Sequence, residues 1–103
     1  MRPSVLLAAL ALALTDAQAH AQSVQHGLAF ARAHCAQCHA IDRSSESPFM
    51  AAPPFRLLHK RYPVETLAEA LAEGISTGHP AMPEFSLSPL QIGDLIAFLK
   101  TLE

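Results

Sequence analysis

Cys35-Ala36-Gln37-Cys38-His39 constrains the fold of this chain more than any other stretch. Two cysteines three residues apart, with a histidine directly after the second, form the attachment signature of a c-type haem. Both cysteines of the chain lie in it, so no other site competes for them. Within one helical turn, positions three and four apart share a face. Cys35, Cys38 and His39 can therefore point at one flat object. The thiols can add to two vinyl groups of the porphyrin, and the imidazole can take the iron from one side. A small chain that carries such a group must fold around it.

The front of the chain reads as a secretory leader, residues 1–21. Arg2 supplies a positive start, and Val5 to Leu14 is an unbroken run of Val, Leu and Ala. Two small-x-small cleavage patterns follow, Ala17-Gln18-Ala19 and Ala19-His20-Ala21. The apolar run is shorter than the roughly 20 residues that span a bilayer. Cleavage is expected after Ala21, or after Ala19, and residues 22–103 then form one domain of about 82 residues. The leader places that domain in the periplasm. Without the leader the formal net charge is still −2, and no basic surface suited to nucleic acid remains. No later segment is apolar enough to span a membrane. A chain this short has a thin core and often needs a staple, and a covalently held macrocycle can be one.

The mature region reads as all-α. Ser23 can cap a helix from Val24 to about Cys35. Asp42 to Pro54 is a loop rich in Ser and Pro, and Phe55 to His59 is one short helical turn. Pro63 opens a second helix at its first position. Val64, Leu67, Ala68, Leu71 and Ile75 form its apolar stripe, and Gly74 is its stop. Gly78 to Ser86 is an irregular strap. Ser88-Pro89-Leu90-Gln91 starts a last helix running to about Leu102, with a capping box and Pro in the first turn. Leu95, Phe98, Leu99 and Leu102 make its buried face.

With these features in place, the chain resembles the class I cytochrome c family in its small bacterial form, from about Ser23 to Glu103. Gly27 stands eight residues before Cys35, where that family keeps a glycine so that its first and last helices cross closely. Leu95 and Phe98 match the aliphatic and aromatic pair packed at that crossing. Pro53 sits where the family has a proline whose carbonyl accepts the N–H of the haem-binding histidine. Ala52 replaces the usual preceding glycine, and the adjacent Pro54 leaves the register open by one residue. Met82, in Met82-Pro83-Glu84-Phe85, matches the methionine that closes the iron from the other side. The resemblance implies three main helices and loops around one haem, with Cys35 and Cys38 as thioethers and His39 and Met82 as axial ligands. Met50 and His79 are the rival ligands. A thioether favours reduced iron, and two filled axial positions leave no site for substrate. The implied function is one-electron transfer through an exposed haem edge, without catalysis by the chain itself. The implied partners are a redox donor and acceptor, met as a free monomeric shuttle or as the small subunit of a dehydrogenase or oxidase complex.

Other residues carry two readings each. His59, Lys60, Arg61 and Tyr62 can reach a haem propionate or form a solvated stretch, and Arg43 and Arg56 share that ambiguity. Phe49, Phe55, Leu67 and Phe85 are candidates for the haem pocket wall. His26 and His34 have no spacing that suggests a metal site. Gly93 either admits another backbone or has no role. Glu65, Glu69 and Glu73 form a solvated face or an acidic docking patch. The alternative function is a haem-based ligand sensor or enzyme in which Met82 is labile or off the iron. A thiol oxidoreductase needs a βαβ setting that the helical pattern lacks. A zinc site using Cys35, Cys38 and His39 has poor spacing.

Overall fold

The computed structural model describes residues 3–74 and 81–103. Among them every regular element is helical, as the all-α reading expects. The order is α1 (Pro3–His34), a 3-10 turn (Phe55–Lys60), a second 3-10 turn (Val64–Thr66), α2 (Leu67–Glu73) and α3 (Pro89–Lys100).

Helix α1 overturns the expected start at Val24. It is one continuous helix through the leader, so Ser23 is an interior residue and caps nothing. The reason lies in composition. Ala and Leu are strong helix formers, and no Gly or Pro interrupts residues 4–26. The two halves of the helix differ in their surroundings. Val5, Leu6, Leu7, Leu10, Leu12 and Leu14 are all exposed, whereas Gly27 and Ala31 are buried. By length and composition this helix could cross a membrane, a property that signal sequences near an N-terminus share.

Helix α3 begins as its sequence indicates. The Ser88 hydroxyl accepts from the Gln91 backbone N–H at 3.2 Å, and the Gln91 side chain accepts from the Ser88 N–H at 3.0 Å. Leu95, Phe98, Leu99 and Leu102 are buried, with Ile92 added to the same face. The helix proper ends at Lys100, and a turn carries Leu102 into the core. Helices α1 and α3 meet backbone to backbone. A methyl group added at Gly27 would lie 2.1 Å from the Asp94 carbonyl oxygen and 2.7 Å from the Phe98 Cβ. Only glycine permits that approach. Gly93 has nothing within 4 Å of an added Cβ, so no backbone approaches it.

Pro63 is not the first helical residue. It is extended, and Thr66 closes a 3-10 turn onto its carbonyl through both the backbone N–H, at 3.1 Å, and Oγ1, at 2.7 Å. That tight turn delays the α-helix to Leu67. The apolar stripe still faces inward, with Val64 and Leu71 buried and Leu67 and Ala68 packed against them. Ile75 lies outside the described residues. Gly74 ends α2, as its reading as the stop expects, with φ 97° and ψ 117°, a positive-φ conformation that favours glycine.

Asp94 is the buried charged residue among those described. Ser23 Oγ donates to its Oδ1 at 2.9 Å, and His26 Nδ1 lies 3.7 Å from its Oδ2. The carboxylate therefore sits in the helix crossing, beside Gly27.

Candidate functional site

The end of α1, the loop after it, α2, α3 and the Met82 strap enclose a cavity of about 410 Å³. That volume is typical of a small-molecule or cofactor site. Cys35, Cys38, His39, Pro53 and Met82 all line it. Residues up to 47 positions apart in sequence thus converge on one space.

The attachment side is built by hydrogen bonds. Helix α1 ends with the Ala31 carbonyl accepting from both Cys35 and Ala36 N–H, each at 2.9 Å. One further turn follows, in which the Cys35 carbonyl accepts from Cys38 N–H at 3.1 Å and His39 N–H at 2.9 Å. The next loop is tied back to that turn. Phe49 N–H donates to the Cys38 carbonyl at 3.1 Å, Phe55 N–H to the Ala40 carbonyl at 2.9 Å, and Ala40 N–H to Ser47 Oγ at 3.0 Å. These bonds bring Pro53 beneath His39.

The His39 Nδ1 lies 2.8 Å from the Pro53 carbonyl oxygen. A carbonyl only accepts, so Nδ1 is the donor, and in the neutral imidazole Nε2 keeps the free lone pair. The bond goes to Pro53 and not to Pro54. The Phe55 ring packs 4.9 Å from the imidazole and limits its rotation.

Burial pushes the Cys35 thiol up to about 11. A redox-active cysteine has the opposite shift, toward the thiolate. A thioether carries no charge and suits this apolar position without cost. Cys35 and Cys38 are not joined to each other.

The opposite side depends more on packing. Met82 is half-buried on the cavity wall, whereas Met50 is 96% exposed and outside the lining. His79 lies outside the described residues. The strap is held by Leu87 N–H to the Leu71 carbonyl at 2.9 Å and by Ser86 Oγ to the Ala72 carbonyl at 3.1 Å. Phe85 packs edge-on against Phe30 at 6.3 Å and His34 at 6.0 Å.

Phe49, Phe55, Leu67 and Phe85 all reach the cavity, as their candidacy as wall residues anticipates. Arg61 and Tyr62 also line it, whereas His59 and Lys60 do not. The two other arginines are engaged in loops. Arg43 donates to the Thr101 carbonyl, and Arg56 donates to the Ser45 carbonyl at 2.5 Å. Glu65 pairs with Lys100 at 2.5 Å across the surface. That hydrogen bond holds the Glu65 carboxyl below its ordinary range and the Lys100 ammonium above its own.

Phe30 and His34 line the cavity without being singled out by sequence reasoning. They stand four apart on α1 with ring centroids 4.6 Å apart. Their spacing from each other is the available signal. It is masked because Leu28, Ala31 and Cys35 already define a plausible buried face.

The donor set fits a covalently attached haem: two cysteine sulfurs, an imidazole with a free nitrogen and a thioether, set in a largely apolar wall. The comparisons with known proteins agree. Residues 24–103 match the family model described as Cytochrome c. A cytochrome c-552 from Bradyrhizobium diazoefficiens is 31% identical over 93 residues, covering 90% of this chain and 88% of the relative. No solved structure matches. Motif, helical fold and family match converge: the chain belongs to the cytochrome c family, as a class I c-type cytochrome with a covalently bound haem.

Proposed function

We propose that this cytochrome is an exported, periplasmic carrier of single electrons, with its haem iron held between His39 and Met82. The observation that carries the reading is the presence of Cys35, Cys38, His39 and Met82 around one cavity, with His39 already oriented by Pro53. When bound, a c-type haem supplies a one-electron iron couple.

The chain's own residues do the rest. Cys35 and Cys38 tether the cofactor from one helical turn. The Pro53 carbonyl keeps the proton on His39 Nδ1 and leaves Nε2 available to the metal. Met82 would offer a soft sulfur to the metal, a ligand that favours its reduced state. Phe49, Phe55 and Phe85 give the cavity an aromatic wall. Arg61 and Tyr62 offer polar donors to the carboxylates of the cofactor. Residues 1–21 act as the export leader and are removed, leaving residues 22–103 as the working domain. The partners are a redox donor and acceptor, met as a free shuttle or within a larger oxidoreductase.

The test is the optical spectrum of protein produced in a periplasm. Ferric haem with methionine ligation has a weak band at the red edge of the visible spectrum. The band is expected in the native protein and lost in Met82→Ala, with the haem still covalently attached. Its absence from the native protein would sink the His39/Met82 assignment.

A further inference from the structure

Asp94 is a buried carboxylate that the redox site does not use. Its side chain is 11% exposed, and its possible ionic partner among the described residues, His26, is 69% exposed and 3.7 Å away. Its firm contact is the Ser23 hydroxyl, at 2.9 Å. Among the described residues, one neutral hydroxyl and one imidazole at 3.7 Å face the carboxylate, so it can accept further donors. A set of such donors follows from the position of Ser23, two residues beyond the expected cut after Ala21.

Helix α1 passes unbroken through that cut. In an α-helix each N–H donates to the carbonyl four residues earlier. Ser23, Val24 and Gln25 therefore rely on Ala19, His20 and Ala21, and removal of the leader strips all three of their acceptors. It also turns the Gln22 nitrogen into an ammonium. A new helix N-terminus is created, with positive charge and unpaired donors, against the residue already bonded to Asp94. An anion is favoured there.

We propose that Asp94 is the built-in receptor for the N-terminus that leader removal creates. Its carboxylate accepts the freed N–H groups of the first turn and pairs with the new ammonium. Processing thereby tightens the α1–α3 crossing of the mature cytochrome. The proposal rests on the reading of residues 1–21 as a cleaved leader. The site needs the close approach at Gly27, which sets α3 beside this turn.

The test uses haem-loaded protein exported with its own leader. The mass of the product gives its first residue. A chain that keeps its leader, or one cut beyond Ser23, overturns the proposal at its premise and leaves the iron ligation untouched. Asp94→Asn is then compared in two backgrounds: the natural chain, and one with Glu-Leu-Gln-Lys inserted between Ala21 and Gln22 and retained after cleavage. The insert restores carbonyl acceptors to the first turn. The substitution is expected to raise the unfolding constant about fivefold in the natural chain and under about twofold in the extended one. Equal losses in both, or none in the natural chain, overturn the proposal. If Asp94→Asn does not fold, reductive methylation of the unsubstituted protein decides. The α-amine should react more slowly when folded than in guanidinium, and equal rates overturn the pairing.

Discussion

The two sides of the cavity are built differently. On the cysteine side, backbone hydrogen bonds tie the Cys35–His39 turn to Ala31 and return Phe49 to Cys38 and Phe55 to Ala40, and the imidazole is held by a carbonyl and a ring. On the methionine side, the contacts of residues 81–87 among the described residues are one backbone bond, one hydroxyl and the packing of Phe85. The first side is organised by bonds within the protein. Under the proposed ligation, a bond between Met82 and the metal would add a further anchor to the second. Order on the first side is thus a property of the chain, and order on the second would be shared with its ligand.

Phenylalanines on the two sides offer the sharpest way to break this comparison. Phe55 is buried against His39, so Phe55→Ala should cost about 3–5 kcal/mol in guanidinium unfolding of the holoprotein. A cost near that of Phe85→Ala would show that the two sides do not differ. Next in size is Gly27→Ala, which strikes the crossing that frames both sides. An added methyl 2.1 Å from a backbone oxygen forces the helices apart and should cost about 1–3 kcal/mol. In thermal melts that is about 4–8 °C per kcal/mol for a domain of this size.

Phe85→Ala should cost only about 1 kcal/mol, because the ring is half-buried. Its larger effect should be on the strap. Added imidazole should displace Met82 from the ferric protein faster than in the native protein, followed through the red-edge band. An unchanged rate would mean that Phe85 packing does not hold Met82.

The smallest effect concerns the loop on the cysteine side. Hydrogen bonds from Ser45, side chain and backbone, and from the Ser44 N–H hold the Asp42 carboxyl down to about 2. A carboxyl depressed in the folded state stabilises the protein above its unfolded value, near 3.9. That contribution fades as pH falls through the folded value. Thermal midpoints of native protein and Asp42→Asn should therefore differ above pH 4 and converge toward pH 2. Parallel curves would remove Asp42 from the account.

Much of this architecture was legible in the residues themselves. The capping box at Ser88 and Gln91 announces α3, because both bonds are local and depend on residues three apart. The glycine at the crossing was legible through family resemblance, and the reason for it, a backbone contact, needs coordinates. The start of α1 is hidden because a serine before an apolar run resembles a cap, whereas the alanine-rich stretch before it lets the helix continue. The position of Pro63 ahead of the helix is hidden because the 3-10 closure by Thr66 depends on a hydroxyl-to-carbonyl bond that no periodicity reveals. Asp94 does not stand out in the sequence because a carboxylate on a helix usually faces water. Its burial follows from Gly27, 67 residues earlier in the chain. The spacing of Phe30 and His34 hints at a shared face, but their role in the wall depends on where the strap brings Phe85.

The rigid link between Gly27 and Cys35 has a mechanical consequence. The seven residues between them, Leu28–His34, are all helical, and the eight steps make a rod of about 12 Å. Gly27 is the fulcrum and the first attachment sulfur is near the tip. A tilt of about 10° at the crossing would swing that tip by about 2 Å, more than a carbon–sulfur bond length. A contact far from the cofactor thus acts as a lever on where the cofactor can be stitched to the chain.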